Sequence, residues 1–172
     1  MNPALKYGLI TGVGVCLWIL GEYALGFHTT NLDAGEITGY FASVIPVVTI
    51  YIGIRAQRNM MPGKTIALGK AILTGIWITL IAAAISTAFM QVYYALINPH
   101  FMELGEVSLN KKLAAGSISQ DEFNRQVMEV RQMAAPMFQL VFGFLGTVAM
   151  GTVISVVMAL ILRTRTPKPA IG

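Results

Sequence analysis

Four long apolar runs, separated by three connectors of different character, set the plan of this chain. The runs cover residues 7–27, 37–54, 71–97 and 136–162. Glu22 is the only charged residue in the first, and the other three carry none. A bilayer's hydrocarbon layer is about 30 Å thick and takes roughly 20 helical residues to cross. The runs are continuous rather than alternating, so they predict spanning helices and not barrel strands. The third and fourth are longer than a crossing requires, and should tilt or project from the bilayer as continuing helix. Pro46 interrupts the second run and predicts a kink, which either fixes static curvature or acts as a hinge.

The connector at residues 98–135 has its own pattern. Asn98-Pro99 should break the end of the third span. Residues 101–115 suit a helix, and Gly116-Ser117 reads as a turn. Ser119 followed by Glu122 has the spacing of a capping box. Phe123, Val127, Val130 and Ala134 then recur at helical intervals. The expectation is a helical hairpin whose second arm runs into the fourth span at Pro136.

Composition agrees with this class. Of the 172 residues, 55% are hydrophobic and 12% charged, about half the charged share of soluble domains. The single cysteine, Cys16, excludes an intramolecular disulfide. The start resembles a signal peptide, with Lys6 before an apolar run. No small-residue cleavage site follows, because Gly21, Glu22 and Tyr23 come next. An uncleaved first span is expected.

The net charge of +4 is read as membrane orientation and not as a nucleic-acid signal. Lys6, Arg55, Arg58, Lys64, Lys70, Arg163, Arg165 and Lys168 fall on one side of a four-span arrangement. Lys111, Lys112, Arg125 and Arg131 fall on the other, together with the acidic residues. Basic residues mark the cytoplasmic side. Both termini are therefore expected in the cytoplasm and the hairpin outside.

Several elements resemble one known family. Lys6-Tyr7-Gly8 opens the first span, and Gly69-Lys70-Ala71 with Gly75 opens the third. Ile97-Asn98-Pro99 is followed by Phe101, then Gly116, Ser119, Glu122 and Pro136, ending at Ile161-Leu162-Arg163. In order and spacing these resemble the domain-of-unknown-function family numbered 4199, small four-span bacterial membrane proteins. The resemblance implies four helices and a bacterial inner-membrane address. It brings no assigned activity.

Small residues form stripes at four-residue spacing. Gly143, Thr147, Gly151, Ser155 and Ala159 lie on span four, Ala71, Gly75, Thr79, Ala83 and Thr87 on span three, and Ala4, Gly8 and Gly12 on span one. Such stripes let backbones approach closely in lipid. They either pack within one protomer, the favoured reading, or form a seam in a homo-oligomer.

Glu22 is the candidate functional residue. A carboxyl inside a span must face protein, a partner or water. By depth, Gln91, Tyr94 and Gln139 should share its layer, making a polar pocket that opens outward. No cationic side chain occurs within the spans, so neutral polar partners are expected. The bland alternative is a carboxyl that reaches the interface or bonds structurally. His100 and Glu103, at i, i+3 spacing, form only a weak metal-ligand pattern.

No catalytic, metal or cofactor motif stands out, and a non-enzyme is expected. The first functional reading is a partner-binding or assembly component acting through the outer hairpin (Pro99, Ser119, Glu122, Phe123, Val127). The partner is membrane lipid, a periplasmic or membrane protein, or another copy, and not nucleic acid. The second is a small oligomeric transporter, channel or lipid-handling protein built around Glu22. An intramembrane enzyme ranks last.

Overall fold

The first helix, α1 (Pro3–Ala24), starts on a cap: Asn2 Oδ1 accepts a hydrogen bond from the Ala4 N–H at 2.9 Å, and Pro3 needs no donor in the first turn. The computed structural model describes residues 1–163; Arg165, Lys168 and the Pro-rich tail lie outside the described residues. The second span is two helices, α2 (Leu32–Phe41) and α3 (Val44–Asn59). The third is α4 (Leu68–Val92), which continues as a π-helical turn over Tyr93–Ile97. The hairpin follows as α5 (Phe101–Ala114) and α6 (Gln120–Ala134). Span four opens with the short α7 (Pro136–Phe138) and a second π-helical turn, Gln139–Gly143, before α8 (Phe144–Leu162). Pro3–Ala24, Leu32–Asn59, Leu68–Ile97 and Pro136–Leu162 are each long and apolar enough to cross a membrane. The architecture is an all-α polytopic bundle carrying a helical hairpin.

Span two departs from the sequence reading. Residues 28–36 were expected as a connector, yet α2 already starts at Leu32, where Asn31 Oδ1 caps the Ala34 N–H. Pro46 interrupts the span as expected, although Ala42 and Ser43 keep helical dihedrals and Leu32–Asn59 remains one span. The proline ring conflicts with the carbonyl of the residue four positions earlier, Ala42. The chain answers with a turn at 42–43 that separates α2 from α3. Ser43 Oγ donates to the Tyr40 carbonyl at 2.6 Å, which also accepts from the Ser43 N–H at 3.2 Å.

Helix α4 is the centre of the bundle, packing on α1, α3 and α8, while α3 also touches α1 and α8. The best-buried cluster is Ala4, Ile50, Ile54, Ile66, Ala71, Ile78, Ala159 and Leu162. It lies at the end of the bundle that holds the N-terminus and the α3–α4 connector, here termed the terminal end. The opposite end carries the hairpin. Arg58 Nη1 donates to the Leu162 carbonyl at 3.5 Å, closing the C-terminus of α8. The bundle's perimeter is apolar: Leu17, Trp77, Leu145 and Ile161 are all more than half exposed. A soluble protein rarely shows so continuous an apolar surface, and lipid supplies the missing contact.

The stripes make tight crossings inside one chain. A Cβ on Gly8 would lie 2.7 Å from Ile81 Cβ, and one on Gly12 2.8 Å from Ile85 Cβ, so α1 and α4 meet backbone to side chain. Between α4 and α8 the fit is reciprocal. Gly75 faces Ser155, and Gly151 faces Thr79. Each hydroxyl bonds within its own helix, Thr79 to the Gly75 carbonyl at 3.0 Å and Ser155 to the Gly151 carbonyl at 2.6 Å. The polar atoms are thereby satisfied in a seam with no room for water. Gly143 does not belong to this seam: no atom lies within 4 Å of a Cβ built there. Towards the hairpin end spans three and four still touch through Gln91 and Gln139, and Gly143 lines a cleft there. Thr11 Oγ1 adds a buried bond across α1 and α3, to Thr49 Oγ1 at 2.7 Å.

Candidate functional site

Helix α1 ends in a turn that determines what Glu22 touches. Gly26 takes φ +79°, a left-handed conformation open to glycine at little cost. The Gly26 N–H bonds the Tyr23 carbonyl, and the Phe27 N–H bonds the Glu22 carbonyl. This pair of bonds is the Schellman arrangement. It folds the chain back along the last turn of α1 and sets His28 against Glu22. His28 Nε2 lies 3.3 Å from Glu22 Oε2, with side chains only 14% and 7% exposed.

A polar chain continues from there into span three. His28 Nδ1 is 2.7 Å from the Tyr93 hydroxyl. Asn98 Nδ2 donates to that hydroxyl at 3.3 Å and to the His28 carbonyl at 3.0 Å. One donor order satisfies every distance. Asn98 gives a proton to the Tyr93 oxygen, Tyr93 O–H donates to Nδ1, and Nε2–H donates to the carboxylate. That assigns a neutral His28 with its proton on Nε2. Burial lowers the His28 pKa below its ordinary 6.5, with the Glu22 charge opposing the shift. Rings close the cluster: Tyr23 and Phe101 meet Tyr93 edge-on at 6.0 and 6.3 Å. The clasp thus ties α1, the 25–31 turn, span three and the first turn of α5 together. Glu22 Oε1 is buried without a hydrogen-bond partner among the described residues.

The four residues expected to share one pocket are divided between two faces of span three. Glu22 meets Tyr93. Tyr94, one residue on and rotated by about 100°, lines clefts on another side with Gln91 and Gln139. Gln91 Nε2 donates to Gln139 Oε1 at 3.2 Å. Depth in a span can be counted from sequence, but position around it depends on packing. The partner of Glu22 is a neutral polar group, an imidazole, but it comes from the turn and not from a span.

The hairpin is held to the bundle by charge. Lys112 on α5 reaches Glu36 at 3.1 Å and Asp33 at 3.4 Å on α2. The hydrogen bond that Lys112 donates to Glu36 is the main cause that raises the lysine's pKa. Arg131 on α6 grips Glu106 on α5 through Nε and Nη2 at 2.9 and 3.2 Å, which lowers the Glu106 pKa. Gly116, at φ +69°, ends α5 with a second Schellman pair, from Gly116 to Leu113 and from Ser117 to Lys112. Ser119 Oγ then accepts from the Glu122 N–H at 3.2 Å and starts α6. Only half of the capping box forms, since the Glu122 carboxylate turns to Arg125 at 2.6 Å. Val127 is buried and Phe123 half-buried, whereas Val107 and Met128 are exposed. His100 and Glu103 pair at 2.9 Å on the surface.

Clefts gather around this hairpin. One of about 570 Å³ lies between it and α2, with Phe27, Leu32, Glu36, Lys112 and Gln126 in its wall. A second, of about 680 Å³, has Gln91, Glu106, Asn110, Arg131 and Gln139. A third, of about 490 Å³, is apolar and lies beneath the hairpin between spans three and four.

The structure therefore defines an all-α, polytopic membrane bundle with an ordered hairpin at one end. Residues 6–164 match the family model described as protein of unknown function, DUF4199, and the chain belongs to that family. No curated protein and no solved structure matches the chain.

Proposed function

We propose that this chain is a non-enzymatic component of the bacterial inner membrane that presents its hairpin outside the cytoplasm to dock a protein partner. The carrying observation is where the binding capacity lies. The clefts described above all border α5 or α6, whereas the terminal half of the bundle is close-packed. The exposed apolar side chains of Val107 and Met128 beside charged neighbours suit a protein surface. Charge supports the orientation. Lys6, Arg55, Arg58, Lys64, Lys70 and Arg163 all fall at the terminal end, and the acidic side chains cluster at the other. A transport reading centred on Glu22 has less support, because that carboxyl is 6% exposed and closed over by His28 and Tyr93.

The test is to replace residues 101–132 with a short flexible linker and to place a photocrosslinker at Met128 in the intact chain. The shortened chain should reach the membrane in normal amount yet behave as a deletion. Met128 should give one discrete protein adduct, and Leu145 on the lipid-facing perimeter should give none. A shortened chain with full function would overturn the proposal.

A further inference from the structure

Spans three and four each change from α- to π-helix at the hairpin end, over Tyr93–Ile97 and Gln139–Gly143. π-Turns are rare and concentrate at functional sites. These two flank the same space. Between them lies the apolar cleft of about 490 Å³, walled by Met90, Phe138, Phe142 and Gly143 and roofed by Phe101 and Met133 of the hairpin. Its walls belong to the last turns of span three and the first turns of span four, so it lies at the depth of the acyl chains of that leaflet. Tyr94 and Gln139 also line the neighbouring polar cleft, which holds Glu103, Glu106, Asn110 and Arg131. An apolar chamber thus adjoins a polar niche at the level where lipid headgroups begin.

We infer that this paired cleft binds one membrane phospholipid, with an acyl chain under the hairpin and a zwitterionic headgroup in the polar niche. Arg131 spends Nε and Nη2 on Glu106; a guanidinium has five N–H donors, so donors remain for a phosphate. Glu103 and Glu106 supply carboxylates for an ammonium group. The niche holds both signs, which disfavours a purely anionic headgroup. A surface lipid of the annulus would lack the roof that Phe101 and Met133 provide. The lipid takes two of the clefts that border the hairpin, including the one Val107 lines, so a docked protein would rest on the cleft against α2 and on exposed Met128.

The full chain, released from nanodiscs of equal phosphatidylethanolamine and phosphatidylglycerol, should retain one phosphatidylethanolamine in native mass spectrometry. Gly143→Leu fills the cleft from a position where an added Cβ meets nothing within 4 Å, so folding should survive. It should lower retention at least about tenfold, since filling a lipid's site removes contacts that no displaced water restores. Gly146→Leu, on the same helix and equally open, should retain the lipid. Arg131→Gln should keep a lipid but lose the headgroup preference. Equal retention of both lipids by the natural chain would overturn the headgroup assignment. Retention of no lipid, or undiminished retention by Gly143→Leu, would overturn the site.

Discussion

Gly151→Leu is expected to abolish most of the folded protein, while Gly146→Leu, little more than one turn away on α8, leaves it unchanged. A Cβ at Gly151 would overlap the Thr79 side chain, and nothing lies within 4 Å of one at Gly146. Thr79 cannot move aside cheaply, because its hydroxyl is bonded to the Gly75 carbonyl at 3.0 Å. Leucine at Gly151 must push α8 off α4, and with it the facing Gly75–Ser155 contact. Overpacking of a fitted interior costs about 1–3 kcal/mol, sometimes more, and two coupled contacts place this change at the upper end. Leu160→Ala, on a half-exposed side chain, should stay within about 0.5 kcal/mol. Monodisperse yield in mild detergent and the melting temperature report all three. Loss of yield with Gly146→Leu would instead assign the open face of α8 that carries Gly146 to a seam between copies.

His28→Ala should be the most damaging single change at the hairpin end, because it leaves Glu22 buried and unpaired in the last turn of α1. The helix dipole disfavours a negative charge there. Leaving a buried acceptor without its donor costs about 1–3 kcal/mol, and more when the acceptor is charged. Glu22→Gln keeps an acceptor for Nε2–H and should be tolerated near neutral pH. Replacing both residues with leucine should recover much of the loss, since no buried polar group is then left without its partner.

The same cluster gives a pH dependence. The folded pKa of His28 lies below 6.5. The unfolded imidazole therefore takes up a proton first as pH falls. Stability is whole above 6.5 and declines as pH drops through the lowered value. A second proton on the ring also turns Nδ1 into a donor facing the Tyr93 hydroxyl, which would have to release its own donor bond. Glu22 is the counter-charge, so Glu22→Gln should make the acid response steeper. Hydrogen exchange of residues 25–31 and of the first turn of α5, followed from neutral to mildly acidic pH, reads this directly. Protection independent of pH in both chains would refute the clasp.

Much of this architecture is legible in the sequence for a simple reason. Crossing a bilayer requires length and apolarity, both of which are local properties, so the four spans stand out by inspection. The hairpin follows from Gly116, Ser119 and the Phe123–Val127 face. Tertiary geometry is less accessible. Where the chain breaks before Pro46 depends on the shortened backbone pairing at residues 39–45, which no single residue announces. Gly143 continues a stripe in sequence, but where it lies it lines a cleft and meets no facing side chain. The Glu22 partner was hidden because His28 reaches it through a backward turn. Gly26 was the available signal: a glycine just past a helix end marks a chain reversal, and a reversal returns the following side chains to the last turn. No such local signal marked Tyr93 over Tyr94.

Cysteine accessibility tests the central claim, that four crossings carry an ordered hairpin to the face opposite the termini. With Cys16 removed, single cysteines go in at Asn59, at the end of α3, and at Ser117, at the tip of the hairpin. In cells with a permeabilised outer envelope and a sealed inner membrane, an impermeant thiol reagent should label Ser117→Cys and leave Asn59→Cys unmodified until the membrane is lysed. Labelling of Asn59→Cys in sealed cells, with Ser117→Cys protected, would place the hairpin in the cytoplasm and contradict the account.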